Sequence, residues 1–148
     1  MLFRSNSTSI IQKRDKKTLK VTLQFPVADH IGCIAVTPKY LVGGNWDSRD
    51  FYLWDYNGKL IQKVPSSTNT AYQDMKFDAP YVVASGPQGG TSAIDWLELP
   101  SLHLIKRITA GSTDRQVLLS REGMAIRKGQ LVLLPEDDSS RLIVFQRE

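Results

Sequence analysis

The sequence has one cysteine, no long apolar run and no sustained helical periodicity, and each absence excludes a class of protein. The single thiol, Cys33, has no intrachain partner for a disulfide, so a stapled scaffold is excluded, as is a paired-cysteine zinc site. It sits in the apolar run Ile31–Val36, where a small buried thiol is expected. The longest stretch free of charge is punctuated by Pro, Gly, Asn or Ser, so the roughly 20-residue apolar span of a membrane helix is missing. Residues 1–7 carry no apolar signal core, which makes a cytoplasmic location the expectation. Gly-x-Ser-x-Gly, P-loop and dinucleotide-binding patterns are absent as well, so the familiar catalytic chemistries find no motif here.

The formal net charge of +4 is local rather than general. Residues 1–20 hold six Lys/Arg against one Asp, whereas the remaining 128 hold thirteen against fourteen acids. The cluster Lys13-Arg14-Asp15-Lys16-Lys17 reads as a solvated turn, and no nucleic-acid or membrane partner is expected from it.

Nowhere do apolar residues recur at i, i+3, i+4 and i+7 for a dozen residues. Instead, thirteen short β-rich runs between Ser9 and Gln146 alternate with turn signals, which specifies an all-β chain. Asn57-Gly58 predicts a two-residue hairpin turn, and Pro100-Ser101 and Lys128-Gly129 predict further reversals. The runs repeat with a period of about 40–50 residues, the spacing of four-stranded β-propeller blades. Residues 29–64 and 72–108 each read as a blade and residues 121–146 as an incomplete blade. Residues 7–25 form a partial one, and residues 1–6 a flexible start. The expected fold is therefore one domain of about three propeller-like antiparallel blades, half a propeller; the alternative is an irregular β-sandwich or barrel.

The phase of the repeat sorts the loops. One side receives Asp29-His30, the stretch 45–50, Tyr72-Gln73-Asp74, Gln88-Gly89-Gly90, Arg121-Glu122 and Pro135-Glu136-Asp137-Asp138, and the other only plain turns. Function is expected on the polar side. Asp29, Asp74, Glu136 and Asp137 are candidate ligands for a divalent cation such as Ca²⁺, since oxygen donors suit a hard cation. His30 and Glu122 are candidate acid/base groups. Trp46, Ser48, Arg49, Tyr72 and Gln73 are candidates for a small-ligand surface, Trp46 and Tyr72 supplying an apolar wall. Arg49 between Asp47 and Asp50 is expected to form a local ion pair or to bind an anion.

The motifs Asp29-His30-Ile31-Gly32, 45–54, Tyr72–Phe77 and 135–140 resemble the carboxy-terminal half of a family of mainly bacterial, uncharacterised propeller-like proteins, a domain of unknown function. The loop at Ser85–Ser92 is shorter than in that family. The resemblance implies the propeller fold and no activity. Two functions are then in contention: a non-enzymatic binding or interaction module without a cofactor, and a metal-dependent hydrolase or lactonase at the mouth of an axial channel. Three blades leave two apolar end faces, so the expected partner is a second copy, giving a homodimer with a roughly six-bladed ring.

Overall fold

The computed structural model describes residues 9–27 and 30–146, and among these every regular element is a strand. No helix among them is long and apolar enough to cross a membrane. The thirteen runs become thirteen strands in four antiparallel sheets. Strands β1 (Ser9–Arg14) and β2 (Val21–Val27) pair with each other. Strands β3 (Ile31–Val36), β4 (Leu41–Asn45), β5 (Phe51–Trp54) and β6 (Leu60–Val64) form a four-stranded sheet in chain order. A second follows with β7 (Asp74–Asp78), β8 (Tyr81–Gln88), β9 (Thr91–Glu98) and β10 (Leu104–Ala110). The last has three strands, β11 (Gly123–Arg127), β12 (Gln130–Leu134) and β13 (Ile143–Gln146).

The first strands of the three later sheets lie side by side, β3 against β7 and β7 against β11, as innermost strands do around a propeller axis. The middle strands are buried on both faces: β5 throughout, β4 and β8 over most of their length, and β9 except at its ends. Such strands read as continuous apolar runs, which is why strict alternation is missing there. Cores form between successive sheets. Val42, Phe51, Leu53, Met75, Val82 and Leu97 fill the space between the two four-stranded sheets. Val83, Ile94, Trp96, Met124, Leu131 and Leu133 fill the next. Phe25 and Val27 of β2 meet Tyr52 and Trp54 of β5 in the third. Gly43 makes room for the Trp54 ring, because a Cβ there would lie 2.7 Å from Cζ3.

Two turns differ from expectation. β5 and β6 are joined by five residues, not two: Asp55 Oδ1 accepts from the amides of Asn57 and Lys59 at 2.8 and 2.9 Å, and only Gly58 takes positive φ, at 86°. Conversely, β8 and β9 extend until only Gly89-Gly90 separates them, both at positive φ. The short loop at 85–92 is thus a two-residue hairpin, the type that needs two positive-φ residues. Lys128-Gly129, at φ 45° and 77°, reverses the chain as expected.

Candidate functional site

The loop between β4 and β5 is built around Asn45. Its buried carboxamide oxygen accepts from the amides of Asp47 and Ser48, both at 2.8 Å, while the Asn45 amide donates to the Asp50 carbonyl at 2.9 Å. The loop is pinned to the entry of β3 by the Trp46 amide, which donates to the His30 carbonyl at 2.8 Å. Above this frame, His30 Nδ1 and Asp47 Oδ2 are 2.6 Å apart. Arg49 lies 5.2 Å from the centroid of the half-buried Trp46 ring and donates to the Trp46 carbonyl. A guanidinium over an indole is held by the ring quadrupole. The expected pairing of Arg49 with its flanking acids does not form, because Asp47 faces His30 and Asp50 binds Lys63 at 2.8 Å. The Lys63 ammonium holds the Asp50 carboxyl below its ordinary range. Trp46, Arg49, His30 and Asp47 therefore form one accessible cluster, and Ser48 is exposed beside it.

The residues leading the other inner strands are occupied differently. The Gln73 amide donates to the Ser85 carbonyl at 2.8 Å. Asp74 Oδ1 accepts from Lys76 Nζ at 2.6 Å, and its Oδ2 accepts from the Met124 amide at 2.9 Å, tying β7 to β11. Asp137 is buried and bound by Arg141, whose Nε donates at 3.1 Å and whose Nη2 bonds it and also reaches Asp114 at 2.5 Å. The guanidinium holds both carboxyls below their ordinary range. Glu122 is displaced the other way: burial raises its pKa first, and the neighbouring Glu136 carboxylate adds to it. Asp29 lies outside the described residues. Among those described, no three His, Cys, Asp or Glu side chains come together as a metal site would require. His30 and Glu122 are engaged with different carboxylates, Asp47 and Glu136.

Tyr72 departs from its expected place in an apolar wall. It is 4% exposed, stacks on Phe51, and donates its hydroxyl to Asp95 Oδ2 at 2.5 Å. Asp95, fully buried on β9, accepts from Arg107 Nε at 2.7 Å and Nη2 at 2.6 Å; the same Nη2 reaches Thr70 Oγ1 at 2.9 Å, and Nη1 bonds Gln88. Burial and the Asp95 charge raise the pKa of the Tyr72 phenol, and the Asp95 bonds raise that of Arg107. The signal for this network was a lone acid in the apolar run Ala93–Leu97, with an arginine directly opposite in the hairpin register.

The model of a family described as "Family of unknown function (DUF6454)" matches residues 1–85. No curated protein matches the sequence. Among solved structures, the chain is similar to the Myxococcus xanthus glutaminyl cyclase at a TM-score of 0.64 and 13% identity, covering 84% of this chain and 52% of that one. It is also similar to the Neurospora crassa Pan2 WD40 domain, at 0.56 and 13% over 80% of this chain and 34% of that one. Kuenenia stuttgartiensis hydrazine synthase follows, at 0.57 and 16% over 90% and 38%. The chain thus spans about half of the first and about a third of the other two. At these identities the likeness shows the fold alone, and the fold is propeller-like.

Proposed function

The chain belongs to the DUF6454 family of unknown function, and we propose that it is a non-enzymatic interaction module whose polar-loop face binds a partner through Trp46 and Arg49. The observation that carries this reading is how the polar groups are used. Asp74, Asp137 and Tyr72 are each spent on bonds that tie strands or loops together, whereas the β4–β5 loop and His30 at the entry of β3 leave an indole, a guanidinium bonded only within that loop, and an imidazole–carboxylate pair accessible to solvent. Trp and Arg over a rigid frame are the residue types that dominate binding energies at interfaces. The guanidinium and ring suit a carboxylate-bearing or aromatic group, as on a peptide or a small organic acid.

The test pairs binding with melting. A panel of acidic peptides and aromatic carboxylates is titrated against the chain and against Trp46→Ala and Arg49→Ala. Binding lost in both variants at unchanged melting temperature supports the reading, and binding that survives them refutes it. The same melts with Ca²⁺, Mg²⁺, Mn²⁺ or Zn²⁺, reversed by EDTA, address the metal-dependent hydrolase. A cation held at one hundred times its Kd stabilises by about 2.7 kcal/mol, so a shift of that size would transfer the assignment to it.

A further inference from the structure

Each end of the arc carries a large apolar groove. At one end, β2 covers β5 through Phe25 on Trp54, but Ile34 and Val36 of β3 remain 37% and 62% exposed. They line a groove of about 550 Å³ together with Ile11 and Leu23. At the other, a groove of about 420 Å³ runs between the β7–β10 sheet and the last sheet, lined by Trp96, Ile108, Leu131 and Phe145. Each groove continues an internal sheet-to-sheet core, since Leu23 belongs to the cluster around Phe25, and Trp96 and Leu131 to the cluster around Ile94.

The outward faces of the two ends are apolar and exposed as well. On β1–β2 the pair Ile10 and Pro26 faces away from the β3–β6 sheet, opposite to Ile11 and Phe25, and Ile10 is 56% exposed. On the last sheet the pair Val132 and Val144 faces away from the core that Leu131 and Leu133 enter, and Val144 is 55% exposed.

We propose that a second copy of this chain covers both ends at once. Ile10 and Pro26 of each copy seat in the groove at Trp96 and Ile108 of the other, whose Val132 and Val144 cover Ile34 and Val36 in return. The contact is head to tail, and two half-rings close it without leaving an open end. The span that points to a second copy is that of the glutaminyl cyclase, of whose chain this arc covers 52%, so that two such arcs amount to one ring of that size. The mouth edged by the starts of β3, β7 and β11 is then completed by the same three positions of the partner. This inference does not depend on what the mouth binds.

The experiment is the mass of the full chain by light scattering across a micromolar dilution series, with no ligand present. Twice the chain mass is expected, with the dissociation constant raised at least about tenfold, or 1.4 kcal/mol, in Ile10→Asp and in Val144→Asp. Both positions are half exposed in the single chain, so circular dichroism should be unchanged. Ile61→Asp, equally exposed on β6 at 50%, should leave the mass at twice that of the chain. Paired Ile10→Cys and Ile108→Cys should form covalent dimers on oxidation. A monomer at every concentration, a mass that grows beyond two chains, or a dimer indifferent to Ile10→Asp and Val144→Asp would each overturn the proposal.

Discussion

Replacing Arg107 with methionine tests the electrostatic core most directly. The substitution keeps an unbranched apolar stem and removes the guanidinium. Asp95 then loses both of its short bonds to Arg107 and retains the Tyr72 hydroxyl. Its side chain is fully buried, so the carboxylate is left charged and under-solvated. Removing one partner of a buried ion pair costs about 3–5 kcal/mol. The Arg107 side chain is 25% exposed, so water screens part of the attraction and the low end, about 3 kcal/mol, applies. For a chain of this size that corresponds to a fall of about 6–12 °C in melting temperature. Denaturant titration of wild type, Arg107→Met, Asp95→Leu and the double variant completes the cycle. The double variant should recover most of the loss, because no isolated charge remains. A cost below about 1 kcal/mol for Arg107→Met would refute the claim that this pair needs its guanidinium.

Two further outcomes follow from single groups. Burial pushes the Cys33 thiol up to about 12, so a disulfide-exchange reagent at mildly alkaline pH should leave the native chain unlabelled and label one thiol per chain in denaturant; rapid native labelling would contradict the packing of β3 on β4. The folded-state pKa of Glu122 is raised, so its contribution to stability is present at acid pH and is lost as pH rises through that value, whereas the depressed Asp114 and Asp137 contribute above the ordinary Asp range and lose their contribution as pH falls through their folded values. Glu122→Gln should therefore flatten the decline in melting temperature above the ordinary Glu value and leave the acid limb unchanged. A pH profile superimposable on wild type would count against the burial of Glu122 and its contact with Glu136 together.

Fold was more legible than site, for a physical reason. Strand runs and the four-strand repeat depend on local pattern, and the thirteen runs survive with ends moved by a few residues. Turn chemistry was legible where glycine supplied positive φ, as at Lys128-Gly129. It was misread at Asn57-Gly58, where Asp55 offers its carboxylate to two amides and stabilises a longer loop. The polar side chains were legible only as a set belonging to one side. Whether Asp74 faces solvent or the Met124 amide is decided by sheets fifty residues apart packing together, and no local spacing encodes that. The Asp95–Arg107 pair was within reach, since a charge inside an apolar strand calls for an opposite charge at the paired position of its hairpin.

The way these acids are used follows from the architecture. Hydrogen bonds join strands within a sheet, but sheets of a propeller meet through side chains, so amides at the inner strand starts have no ladder partner across the gap. A buried N–H without an acceptor is costly, and a short carboxylate on the neighbouring strand can supply one. Asp74 does this for Met124 across two sheets; within single loops the Asn45 carboxamide oxygen accepts from Asp47 and Ser48, and the Asp137 carboxylate from Arg141. Oxygen-rich residues are therefore demanded at the polar ends of the strands before any ligand is considered, and their number is poor guidance to a metal. What the architecture does not demand is a half-buried tryptophan with an arginine laid over it. The backbone of Trp46 extends the β3–β4 pairing through His30, but neither its indole nor the Arg49 guanidinium is needed for that bond, so the polar face is best probed for binding at these two side chains.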